Sequence, residues 1–362
     1  MEGLTRRRVL LAAFPAGISV AAVKPDRKLA QTPAQLGEFV RQLDPITETP
    51  VVRLTTPTYT NLLPSPANRF VAAKARVLVF SSDRYGKLSP HQADLRTGLI
   101  RPIAEAQNLD SASLILDEAA RNVYYLDAGF LTRSELSTSR SKNRTETLAE
   151  GVTAFCLGTS PAEFFAIRNS RLVRVAAGQE QFLADAAFGP CEIRPGGNGC
   201  LFWRGGTDTR ELWHAPSEPA SGKPVRLASG AISSARWSAG GQSILFLREV
   251  PKENSNIAEL REVQLGGAIE RTVAFTSQFA VFSPNGDDTV FVGASKSKAQ
   301  PNVILLLRSV QRELTLCEHH ASQPATVKPV FSPNSQRVYF QSDREGKPAI
   351  YSVNVEQLVE PT

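Results

Sequence analysis

The sequence predicts an all-β chain, folded as a seven-bladed β-propeller in which an N-terminal strand closes the last blade. Three observations carry that expectation. The stretch Phe331 to Val353, FSPNSQRVYFQSDREGKPAIYSV, sets a polar turn (Asn334, Ser335) between two short apolar runs, and a second turn (Arg344 to Lys347) before a third. Turn residues between such runs mark antiparallel strands joined by tight hairpins. The same order recurs at Arg76 to Gly98, RVLVFSSDRYGKLSPHQADLRTG, more than 200 positions earlier. Aligned on the strand after each polar turn, the chain has seven anchors: Phe80, Tyr125, Phe164, Phe202, Phe246, Phe291 and Phe340, spaced 38 to 49 residues apart. That period is the size of a four-stranded blade, which must stack on neighbours to bury its faces.

Met1 to Val23 comes first in chain order, with Thr5-Arg6-Arg7-Arg8-Val9-Leu10 leading into AAFPAGISVAAV. A basic head before a short apolar stretch reads as an export signal of the twin-arginine kind. It predicts a periplasmic or extracellular protein that meets a membrane only through an uncleaved leader. Residues 24–48 form a lead-in segment, where Pro33 to Leu43 (PAQLGEFVRQL) has apolar residues at helical spacing and predicts a short helix. Pro50 to Thr55 (PVVRLT) reads as a strand outside any complete unit. Placed on the last blade, it joins the two chain ends and removes the exposed sheet edges that invite aggregation. The propeller is expected over residues 49–362 as one domain. Turns WSAGGQS, FSPNGDD and FSPNSQR, at Trp237, Phe282 and Phe331, set off the last three units, whereas the third and fourth rest on spacing.

A 42% hydrophobic and 21% charged composition is that of a soluble globular protein, and 24 glycines with 24 prolines suit a chain rich in turns. The formal net charge of +6 falls to +4 without Met1 to Val23, which holds three arginines and one glutamate. A mild positive excess suits anionic sugars. No basic stripe with interleaved aromatics appears, which excludes nucleic acid as a partner. The basic run Arg133 to Arg144 reads as a solvated loop. The four cysteines, Cys156, Cys191, Cys200 and Cys317, match no zinc spacing. Cys191 and Cys200 flank a Gly-Gly-Asn-Gly turn, so they either pair across a hairpin as a disulfide or stay buried as free thiols.

The chain has no G-x-S-x-G elbow, no phosphate-cradling glycine loop and no H-E-x-x-H pair. Its four histidines are His91, His214, His319 and His320. His319 and His320 are adjacent, so on a strand they point to opposite faces. Glu318, His320 and Gln323 are a candidate loop grouping for an ion or a sugar hydroxyl. His214 is expected to be solvated, and His91 has no evident partner. Ser82-Asp83-Arg84 and Ser342-Asp343-Arg344 are expected to tie down hairpins rather than to react.

The segment FSPNSQRVYFQSDREGKPAIY resembles the closing blade of the oligogalacturonate lyases, propellers that split short pectin fragments. VFSSDRYGKL with DLRTG, the strand VVRLT, and CLFWRGG…TRELW resemble the same family, so the likeness spans most of Pro50 to Val355. Its blade motifs are shared with TolB-like propellers. The resemblance implies β-elimination. A divalent metal such as manganese, with an arginine, neutralises the uronate carboxylate while a base removes the C5 proton and the C4 oxygen leaves. It assigns the catalytic arginine to Arg210 and a metal-binding glutamine to Gln323. Two metal-histidine positions fall on Thr326 and Lys328, a third finds no counterpart in Thr276 to Phe282, and the base position falls near Ser234. A protonated lysine repels a divalent cation, so Lys328 and Gln323 are expected to bind substrate instead. Three functions follow as expectations. The first is a catalytically degenerate relative that binds an acidic oligosaccharide or a partner at the channel mouth. The second is an active, metal-dependent lyase with altered groups, and the third a TolB-like scaffold contacting an envelope protein.

Overall fold

The computed structural model describes residues 37–359 except 73, 75, 137–142, 161, 207–208, 253–254, 267–268 and 277. The expected leader lies outside the described residues.

Seven antiparallel sheets follow one another along the chain. Blade 1 holds Asn61–Leu62, Val77–Ser82, Ser89–Asp94 and Ile100–Pro102, and blade 2 runs from Ile115–Leu116 to Thr145–Ala149. Blades 3 to 6 are four-stranded meanders whose first strands are Val152–Leu157, Phe188–Ile193, Ile232–Trp237 and Phe279–Pro284. Blade 7 takes Val330–Phe331, Arg337–Ser342 and Ala349–Asn354 from the C-terminal end, then Pro50–Arg53 and Val40–Leu43 from the N-terminal end. The first strands of blades 3 and 4, of blades 5 and 6, and of blades 6 and 7 lie against one another.

Each of the seven hydrophobic clusters joins one blade to the next. Leu78 and Phe80 of blade 1 pack with Tyr339 and Ile350 of blade 7, which completes the circuit. Covering both faces of a sheet explains why its strands lack hydrophobic-polar alternation. Five consecutive side chains are buried in both Val77–Ser82 and Ala349–Asn354. The chain is therefore a closed seven-bladed β-propeller. All seven aromatic anchors sit on the second strand of a blade. In blade 3 it is Phe165, beside the expected Phe164, that is fully buried.

The expected lead-in helix is corrected. Residues 33–36 lie outside the described residues, and Val40–Leu43 is the outermost strand of blade 7, paired with Pro50–Arg53. Its helix-like spacing buries no helical stripe, since Leu43 is 65% exposed while Phe39 packs on the blade 7–blade 1 core. Strand pairing overrides a weak local preference here. Two short 3₁₀ turns, Pro219–Ser221 and Pro324–Thr326, interrupt the sheets. No helix among the described residues is long and apolar enough to cross a membrane.

Candidate functional site

In an up-and-down blade the hairpin between the second and third strands opens on the same rim as the crossover to the next blade. Arg210 starts the third strand of blade 4, straight after such a hairpin. Gln323, Thr326 and Lys328 lie on the crossover from Arg312–Glu318 of blade 6 to Val330–Phe331 of blade 7. Topology thus puts all three sequence-assigned residues on one rim, although they are distant in the chain.

The rim does not join them into one constellation. Gln323 and Thr326, both exposed, line a pocket of about 170 Å³ with Leu62, Gln341 and Asp343, between blades 7 and 1. The Asp343 carboxylate is already engaged by the amide and hydroxyl of Ser322. Lys328 is half-buried and takes a positive φ of 48°. Its Nζ donates to the Leu63 carbonyl at 2.8 Å. Burial holds this ammonium below the usual lysine range, and the nearby Asp110 carboxylate opposes that shift. Arg210 is half-buried, with its guanidinium 5.9 Å from the Trp203 ring centre. No hydrogen bond or ion pair links it to Gln323 or Lys328.

The expected Glu318–His320–Gln323 grouping is only half formed. His320 Nε2 meets Glu318 Oε2 at 2.9 Å, and Gln323 joins neither. His319 is buried, with Nε2 donating to the Ser295 carbonyl and Nδ1 accepting from the Ala321 amide. The solvated placement of His214 is corrected. It is 7% exposed, edge-on to Trp237, in the groove left by Gly199, where a Cβ would stand 2.2 Å from its Nε2. His91 does have a partner, the Ser89 carbonyl at 2.8 Å, and it stacks on Tyr85.

Burial pushes His91 down to about 4, opposed by the Ser89 contact, and His214 likewise to about 4. An unfolded histidine takes its proton near 6.5, so stability present above that pH drains away as pH falls toward 4. His91→Phe is expected to remove up to about 3 kcal/mol of that acid-dependent loss. Urea midpoints at pH 7 and about pH 4.5 measure the slope, and an unchanged slope in the variant would refute a buried neutral His91.

Both Ser-Asp-Arg motifs act structurally, as expected. Asp83 accepts from the Thr60 amide and Asp343 from the Ser322 amide, pinning each hairpin to the preceding crossover. Ser234, at the expected base position, lies half-buried on the first strand of blade 5. Two residues on, Arg236 stands 3.7 Å from Glu192 of blade 4, and its Nε and Nη1 are buried with no partner. Burial pushes the Glu192 carboxyl up while Arg236 pulls it down. This inner-strand pair went unnoticed in the sequence, because nothing local to either residue marks the other.

No protein-family model matches the chain, and no curated protein matches it by sequence. In structure it is similar to an oligogalacturonate lyase solved in complex with manganese, with a TM-score of 0.76 at 16% identity over 87% of this chain and 96% of the other. The oligogalacturonate lyase from Vibrio parahaemolyticus gives 0.76 at 17% identity over 89% and 98%. The chain thus shares the seven-bladed propeller fold of these lyases. A Kuenenia stuttgartiensis hydrazine synthase shares it more loosely, with 0.55 at 12% identity over 80% and 95%.

The manganese in that first lyase raises the question of a metal here, and the donors at this rim do not suit one. Lys328 presents an ammonium, Thr326 a single hydroxyl, and Gln323 one exposed amide. Among the described residues, three or more His, Cys, Asp or Glu ligand atoms converge only at Cys156, Cys191 and Cys200. The four cysteines are all buried and free, so the disulfide alternative for Cys191 and Cys200 gives way to free thiols.

Proposed function

We propose that this chain is an exported binding protein built on the oligogalacturonate lyase fold, holding a short acidic oligosaccharide at the rim that carries Gln323 and Lys328. The observation behind this reading is the Lys328 ammonium. It occupies a position the resemblance gives to a metal ligand, and its one hydrogen bond to Leu63 leaves two N–H donors for a carboxylate. A fixed cation of this kind replaces the ion as counter-charge for a uronate, while the pocket beside Gln323 and Thr326 suits sugar hydroxyls. Binding of that kind needs no general base, and the base position carries Ser234.

Calorimetry with di- and trigalacturonate tests the reading. Lys328→Met is expected to weaken binding at least about tenfold, the worth of one charged hydrogen bond. The ultraviolet absorbance of a conjugated double bond should stay flat throughout. Absence of binding would refute the proposal. Steady growth of that absorbance, lost in Arg210→Ala, would replace it with the active-lyase reading, which the rim position of the half-buried Arg210 favours.

A further inference from the structure

Blades 3 and 4 meet through an apolar layer that contains three of the four cysteines. Cys156 comes from the first strand of blade 3, while Cys191 and Cys200 come from the first hairpin of blade 4. They are 4%, 3% and 0% exposed, among Phe165, Ile167, Ala187, Phe202 and Ala215. Cys156 Sγ lies 3.7 Å from Cys200 Sγ, and all three sulfurs fall within 4.8 Å of one another. Three sulfurs about 2.3 Å from a shared ion are about 4.0 Å apart when planar with it. The observed triangle therefore needs only sub-ångström adjustments of its edges to close on one.

We propose that Cys156, Cys191 and Cys200 form a three-sulfur site for a soft, thiophilic metal ion, Cu(I) above all, which clamps blade 3 to blade 4. Thiolate sulfur selects such ions. Structural zinc wants four ligands, and no fourth His, Cys, Asp or Glu reaches this cluster among the described residues. Cu(I) accepts three sulfurs without a fourth. Binding forms sulfur–metal bonds as thiol protons leave to solvent, and no group changes oxidation state. An enclosed site of this kind loads as the chain folds.

The test is refolding of the full reduced chain with Cu(I) supplied from a bicinchoninate buffer. One copper per chain is expected, with a sulfur-to-copper charge-transfer band and a sulfur-only shell by X-ray absorption. Cys156→Ser and Cys191→Ser should each lose the ion, whereas Cys317→Ser, in blade 6, should keep it. If the serine variants fail to fold, thiol counting on wild type decides. The loaded chain should shield three of its four cysteines from alkylation in denaturant. No uptake, a nitrogen or oxygen shell, uptake unchanged in the folded serine variants, or all four thiols reactive after loading would each overturn the site.

Discussion

A chain shortened to begin at Thr55 is expected to lose cooperative unfolding and to aggregate. The deletion removes Pro50–Arg53, which pairs with Ala349–Asn354 and is the point where the two ends of the polypeptide meet. Without it, a six-residue strand keeps five buried side chains but presents an unpaired row of backbone donors and acceptors. Such an edge is a template for pairing with another chain. Val51 and Leu54, 0% and 3% exposed, leave the blade 6–blade 7 and blade 7–blade 1 layers at the same time. Size-exclusion chromatography and a thermal melt followed by circular dichroism read both effects. A monomer melting at the wild-type midpoint would show that the ring stands without its closing strand. Because the deletion also takes Glu38 away, Val51→Asp separates the causes. It keeps the whole chain, places a charge at a fully buried position, and is expected to destabilise by about 4 kcal/mol or more.

That closure is legible in the sequence, and the reason is physical. Blades repeat because both faces of each sheet must be covered by its two neighbours, so burial recurs at a fixed place in each module. The second-strand aromatics Phe80, Phe202, Phe246, Phe291 and Phe340, all 0% exposed, are the imprint of that demand. Val40–Leu43 was misread because periodicity reports which residues are apolar, whereas an outer strand is set by its partner's free edge. The sequence does not mark the burial of His214 because its pocket exists only where Gly199, two residues along the neighbouring strand from its partner Leu201, leaves room for the ring. The candidate site was legible only in part. Topology carries Arg210, Gln323 and Lys328 to one rim, but the Lys328 side chain is directed by Leu63, far away in sequence, and Arg210 by Trp203 across its hairpin. Contacts between blades, such as Cys156 with Cys200 or Glu192 with Arg236, depend on how two sheets stack, and no local spacing records that.

The two Ser-Asp-Arg motifs look alike in sequence, yet they are expected to differ in energetic weight. Arg84 is 1% exposed in its side chain and donates to Glu38 Oε1 at 2.7 Å, to Ser82 Oγ at 3.1 Å and to Asn61 Oδ1 at 3.1 Å. Glu38, 13% exposed, also accepts from the Thr56 amide, so the pair fastens the lead-in segment onto blade 1. Arg84→Met would strand a poorly solvated carboxylate and leave the Asn61 side-chain oxygen to the Ser82 hydroxyl alone, which costs about 3–5 kcal/mol for a buried pair broken on one side. Arg344 donates instead to the Glu318 carbonyl and lies over the Tyr351 ring, with its nearest carboxylate oxygen 3.9 Å away. Arg344→Met strands no buried charge, and its expected cost is about 1–3 kcal/mol. Urea unfolding of both variants ranks them, and Arg84→Met combined with Glu38→Met should cost less than the two single changes added together. Equal losses at the two motifs, or strict additivity in the double variant, would mean that Arg84 and Glu38 are held by packing and that their charges are incidental to the fold.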